Sequence, residues 1–100
     1  MGNGYKIKWT DHALSELEAT YGYIENNWTE KELKKLSQKI EKTLILISSN
    51  PFLFTKSESR NYRKVVILKL NTMYYRVIDK DTVEILSFFS NRKNPNKFSI

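Results

Sequence analysis

The sequence predicts an α+β domain in the order β-α-α-β-β-β, a helical hairpin packed on a small, mostly antiparallel sheet. Three observations predict it. Apolar residues recur at helical spacing between residues 11 and 49, they alternate at strand spacing over 5–9 and again from Tyr62 onward, and the later strands are joined by only a few residues. One hundred residues make a single domain, 1–100, and a hydrophobic fraction of 40% is enough for a modest core.

Tyr5-Lys6-Ile7-Lys8-Trp9 alternates apolar and cationic residues, so it reads as a strand with its lysines outward. Thr10 or Asp11 then offers an N-cap to a helix whose apolar stripe is Leu14, Leu17, Tyr21, Ile24 and Trp28, loosening at Asn26-Asn27. Thr29-Glu30-Lys31-Glu32 has the form of a capping box, because a Thr hydroxyl can accept from the amide three residues on while Glu32 reaches back. The second helix carries Leu33, Leu36, Ile40, Leu44 and Ile47 on one stripe and ends before Pro51, which disfavours helix in the residue preceding it. Two such helices joined by a short turn pack antiparallel. Strands are expected at about 62–69, 73–78 and 82–89, with turns near Asn71-Thr72 and at Asp79-Lys80-Asp81, and residues 52–61 are the one long loop. Connections this short make neighbouring strands antiparallel.

Charge placement narrows the function. Residues 1–49 hold seven Lys/Arg and seven Asp/Glu, whereas residues 50–100 hold ten against four, so the whole excess of +6 lies in the second half. A concentrated positive surface attracts a nucleic acid or an acidic protein segment, or merely confers solubility. There is no cysteine, which excludes disulfides and thiolate metal sites and fits a cytoplasmic location. Apolar runs reach only four residues, as in Leu44-Ile45-Leu46-Ile47, and the first ten residues hold no signal-peptide core; neither a membrane span nor export is expected. No metal and no cofactor is expected. Asp79 and Asp81 read as turn residues, and the single histidine, His12, as a solvated residue at a helix start with no partner or cleft evident in the sequence. Serine-nucleophile and glycine-rich phosphate motifs are absent.

What remains is a cationic set: Arg60, Arg63, Lys64, Lys69, Arg76, Arg92, Lys93 and Lys97. Alternation places Arg63 with Val65, Ile67 and Lys69, Lys64 with Val66 and Leu68, and Arg76 with Tyr74 and Ile78. Arginines beside tyrosines suit phosphate or carboxylate, which they hold by paired hydrogen bonds. Groups from three adjoining strands, Arg63, Arg76 and Arg92 foremost, are expected to converge on one concave patch. Tyr23, Ile45 and Leu46 fall off their helical stripes and are either scattered exposed residues or a surface that a partner covers.

Taken in order, "IKWTDHALSELEATYGYI", "NP" after the second helix, "YRKV" at 62–65, "YYRVIDKDTVEIL" at 74–86 and "NRKNP" at 91–95 resemble the RelE/ParE superfamily of bacterial toxins from type II toxin-antitoxin systems, over nearly the whole length. The resemblance implies a growth-inhibiting cytoplasmic toxin, neutralised by a cognate antitoxin protein that wraps around it in a hetero-oligomer; Tyr23, Ile45, Leu46, Arg63 and Arg76 are the antitoxin-binding candidates. It also implies one of two targets. RelE-like members cut messenger RNA in the ribosome without metal, using lysines and an arginine on the second and third strands, an arginine after the last strand and a tyrosine in the tail. Here Arg92 matches the arginine after the last strand and Arg63 a basic position on the second. The third-strand arginine falls on Thr72 and the tail tyrosine on Phe98, which cannot transfer a proton. ParE-like members inhibit DNA gyrase, and "YRKV" with the bare "NRKNP" ending looks nearer to them, although the histidine they often carry before the last arginine is missing from Phe89-Ser90-Asn91. The expected function is therefore gyrase inhibition, with Arg63, Arg76, Arg92, Lys93 and Lys97 as target contacts. The alternatives are a ribosome-dependent ribonuclease using Arg63, Lys69, Arg76 and Arg92, and a degenerate toxin that only binds its antitoxin.

Overall fold

The computed structural model describes residues 4–92. Strand β1 (Lys6–Trp9) leads into helix α1 (Asp11–Asn27) and helix α2 (Glu30–Ser49), followed by β2 (Thr55–Lys56), β3 (Arg63–Ile67), β4 (Asn71–Asp79) and β5 (Thr82–Ser90). The sheet runs β1-β5-β4-β3-β2, with β1 parallel to β5 and every other pair antiparallel. The helical hairpin covers one face, so the predicted architecture holds; the addition is two-residue β2, which pairs with β3 inside the stretch expected to be loop.

Local chemistry sets the helix ends. Thr10 Oγ1 accepts the Ala13 amide at 3.1 Å and donates to the Ile85 carbonyl at 3.0 Å, so one side chain caps α1 and fastens it to β5. Thr29 and Glu32 form the reciprocal capping box of α2. The core lies between helices and sheet: Ala13, Ile24, Leu36, Ile40 and Ile47 pack against Ile67, Met73, Tyr75, Val83, Ile85 and Phe88. The α2 stripe is the expected one. On α1 the buried positions are Ala13, Thr20 and Ile24, and Leu14 is 42% exposed. The helix approaches the sheet through small side chains, which turns its buried face away from Leu14.

Two further expectations are corrected. The β3–β4 turn is not at Asn71-Thr72; it lies three residues earlier, where Leu68 and Lys69 take positive φ values of 51° and 64° and Leu70 N donates to Ile67 O. Asn71 is instead a buried strand residue whose Nδ2 donates to Thr20 Oγ1 at 3.0 Å and Phe88 O at 3.2 Å, so its amide replaces water by tying helix to sheet. The β4–β5 pairing is also not a simple alternation. Tyr74 pairs with Ser87 but Tyr75 with Ile85, which leaves Leu86 as an extra residue and shifts the inward phase of β5 from Val83 and Ile85 to Phe88 and Ser90.

Candidate functional site

Arg63 opens β3 opposite Tyr75 and lies on the helix side of the sheet. Its Nη1 donates to Phe54 O at 2.9 Å and Phe52 O at 3.4 Å, and its guanidinium lies 5.2 Å from the Phe52 ring centroid. Tyr75 donates from the same neighbourhood to Pro51 O at 2.7 Å, and burial pushes its phenol above the usual value against the smaller lowering effect of Arg63. These contacts pin the chain that leaves α2, so the cation already has local acceptors.

Arg76 points the other way. It pairs across the sheet with Glu84, and its Nε and Nη2 both reach Glu84 Oε1 at 2.9 Å. On the same outer face Lys64 is registered with Tyr74, and the Tyr62 and Tyr74 rings meet edge to face at 5.3 Å; desolvation, then Tyr62, raises the Tyr74 phenol. Where β3 begins and β4 runs past it, Phe52, Lys56, Asn61, Tyr62, Arg63 and Arg76 line one groove, so two of the three expected arginines do share a depression, entering it from opposite faces. Glu84 is thus a partner of Arg76, and Asp79 caps its own turn: the Asp81 amide, 2.9 Å from Asp79 Oδ1, leads the hydrogen bonds that hold that carboxyl below its ordinary value.

Arg92 does not join them. Because the bulge at Leu86 shifts the phase of β5, the chain leaves Ser90 toward the helices. There Asn91 is clamped to the β3–β4 turn: its amide donates to Leu70 O at 2.8 Å, its Oδ1 accepts from Thr72 Oγ1 at 2.8 Å and its Nδ2 donates to Lys69 O at 3.3 Å. The Arg92 guanidinium carbon then lies over the Tyr23 ring of α1, 3.6 Å from the ring centroid. Ser90 is registered with Asn71, five residues from Arg76 along β4, which at strand rise separates the two sites by roughly 17 Å. The single concave patch expected from the sequence is therefore two sites at opposite ends of the sheet. Lys69 sits exposed at the turn beside Asn91, away from Arg76. Lys93 and Lys97 lie outside the described residues.

The Arg92 site contains groups that the sequence reading set aside. A cleft between α1 and the end of β5 is lined by His12, Ser15, Glu16, Ala19, Thr20, Phe88, Ser90 and Arg92 and encloses about 270 Å³. Glu16 Oε1 accepts from the Ser87 hydroxyl and, at 2.9 Å, from the Phe88 amide at the bulge, and it stands 3.3 Å from His12 Nε2. His12 thus has both a partner and a cleft. The available signal was its i, i+4 spacing to Glu16, which puts both on one helix face. Of the partner-surface candidates, Ile45 is 59% and Leu46 47% exposed, and Phe52 and Leu53 beyond the end of α2 are exposed as well; Tyr23 is the seat of Arg92.

Among the described residues no cluster of His, Asp and Glu has the make-up of a metal site, and no helix is long and apolar enough to cross a membrane. Residues 7–95 match the family model described as the ParE toxin of the type II toxin-antitoxin system parDE. No curated protein matches the sequence. Among solved structures the fold is similar to a chain of the chromosomal ParDE toxin-antitoxin system from P. aeruginosa, with TM-score 0.69, 18% identity and coverage of 89% of this chain and 98% of that one. It is also similar to the YoeB/ParE toxin from Agrobacterium tumefaciens (TM-score 0.60, 16% identity, 86% and 98% covered) and to a chain of the YoeB-YefM complex from Staphylococcus aureus (TM-score 0.57, 23% identity, 87% and 97% covered).

Proposed function

Because the chain belongs to the ParE toxin family of type II toxin-antitoxin systems, whose model it matches over residues 7–95, we propose that it is a cytoplasmic growth inhibitor that acts on DNA gyrase by binding, with Arg92 as its principal target contact. The observation that carries this reading is the separation of the arginines. Cleavage of RNA by attack of a 2′-hydroxyl needs cations and proton-transfer groups gathered around one phosphate. Arg63 is engaged by the Phe52 and Phe54 carbonyls, Arg76 by Glu84, and Arg92 stands at the far end of the sheet on Tyr23. Such an arrangement favours grip at Arg92 over chemistry at a shared centre. Neutralisation falls to a cognate antitoxin that covers the exposed apolar residues Ile45 and Leu46, as the existence of a solved YoeB-YefM complex for a similar fold supports.

A second reading has its own support. The outer face of β3 and β4 sets the Tyr62–Tyr74 pair beside Lys64, and aromatic rings flanked by cations are what single-stranded RNA stacks on. Purified chain added in parallel to gyrase supercoiling and to ribosomes translating a defined message separates the two. Inhibited supercoiling with intact message is the expected result; cleaved message with normal supercoiling would replace the first reading by the second.

A further inference from the structure

Arg92 differs from the other two arginines in what holds it. Arg63 commits its Nη1 to two carbonyls and Arg76 its Nε and Nη2 to Glu84, whereas among the described residues no carboxylate pairs with Arg92. It is restrained at both ends instead. At the backbone end Asn91 is bound three times to the β3–β4 turn, by its amide to Leu70 O, its Oδ1 to the Thr72 hydroxyl and its Nδ2 to Lys69 O, and the Arg92 amide itself donates to Ser90 Oγ at 3.3 Å. The turn is closed in its own right by Leu70 N on Ile67 O. At the far end the guanidinium carbon stands 3.6 Å from the Tyr23 ring centroid, a contact distance that puts it against the ring face. A strand turn and a helix thus meet on one side chain.

A free arginine carries large rotamer freedom, which a partner must remove when it binds. Restraint at both ends removes part of it beforehand, so more of each contact is kept as affinity. The core does not explain either neighbour: Tyr23 is 36% exposed and lies off the α1 stripe, and Asn91 is exposed. We propose that Tyr23 and Asn91 are positioning residues, which act on the target through Arg92 by holding its guanidinium on the α1 side of the sheet. This rests on the reading of Arg92 as the target contact. It gives Tyr23 a task in the free toxin, where the sequence reading has it meet only the antitoxin.

The test compares the parent chain with Tyr23→Leu, Tyr23→Phe, Asn91→Ala and Arg92→Ala, by nuclear magnetic resonance of the isotope-labelled proteins and by titration of gyrase supercoiling. In the parent the ring face should move the Arg92 δ-methylene protons upfield. Tyr23→Phe should keep both that shift and the potency. Tyr23→Leu and Asn91→Ala should lose the shift and need about threefold to tenfold more protein for half-inhibition, with Tyr23→Leu melting as Tyr23→Phe does. Adding Tyr23→Leu to Arg92→Ala should cost nothing further, as expected of a residue that acts only through another. Parent potency in Tyr23→Leu, an Arg92 shift that survives Asn91→Ala, or an additive loss in the double variant would overturn the proposal. An impaired Arg92→Ala beside a fully potent Tyr23→Leu would cost this proposal alone, whereas parent potency in Arg92→Ala would cost the reading of Arg92 as the contact. Should the parent leave supercoiling untouched, the gyrase reading falls and the same variants are ranked by growth arrest on titrated expression, with the same order expected.

Discussion

Replacing Arg63 with alanine separates a structural arginine from a functional one. The substitution removes a part-buried, charge-assisted hydrogen bond to Phe54 O at 2.9 Å, a longer one to Phe52 O and a cation–ring contact with an exposed Phe52. Hydrogen bonds to charged groups contribute about 1.5–3 kcal/mol, and an exposed cation–ring contact about 0.5–1 kcal/mol. Discounted for partial exposure, the loss comes to about 2 kcal/mol, or a fall in melting temperature of roughly 10 °C for a domain of this length. Arg76→Ala removes a pair on the open face of the sheet and should cost about 0.2–1 kcal/mol. Arg92→Ala gives up one stacked contact, about 0.5–1 kcal/mol. Urea and thermal unfolding followed by circular dichroism and by Trp9 and Trp28 fluorescence measure all three. An Arg63 variant as stable as the parent, or an Arg92 variant less stable than the Arg63 variant, would refute the division of roles.

The strained turn offers a stabilising change: Lys69→Gly should raise stability by about 0.5–1 kcal/mol, because glycine adopts a φ of 64° without the side-chain penalty, and a loss measured by urea unfolding would contradict that account. Tyr75 predicts an alkaline limb. Its raised phenol keeps its proton in the folded chain when the unfolded chain loses it near pH 10, so the Tyr75 contribution is complete below about pH 10 and disappears as pH rises through the higher folded value. Tyr75→Phe should cost about 1 kcal/mol at neutral pH, by orphaning Pro51 O, and flatten that limb; parallel stability curves for parent and variant between pH 8 and 11 would count against it. Asn71→Ala should cost about 1–3 kcal/mol by leaving buried partners unmatched, and a neutral result would show that Thr20 and Phe88 O have other recourse.

The helices were legible because their signals are local. Thr29 and Glu32 are three residues apart in the chain and three apart in the capping box, and the α2 stripe from Leu36 to Ile47 is a matter of period alone. Strand existence was legible for the same reason. Direction along β5 was not: one unpaired residue, Leu86, reverses the inward phase after it, and nothing in Glu84-Ile85-Leu86-Ser87 marks which residue is skipped. That bulge decides that Arg92 faces α1 and not the side of the sheet that carries Arg76. Asn71 was misplaced because asparagine is commonest in turns, and only the tertiary partner Thr20, fifty-one positions away in sequence, makes it a strand residue. The His12–Glu16 pair was within reach of a helical wheel. Its cleft was not, since Phe88 and Ser90 come to it from the other end of the chain.

The division of labour between the two ends of the sheet is tested most directly by titrating gyrase supercoiling with the parent, Arg76→Ala and Arg92→Ala proteins side by side, each first shown to be folded. The account predicts that Arg92→Ala needs at least tenfold more protein for half-inhibition while Arg76→Ala stays within about twofold of the parent, by the loss of a bidentate charged contact in one and of a self-contained ion pair in the other. Full potency in the Arg92 variant together with a collapse in the Arg76 variant would contradict it.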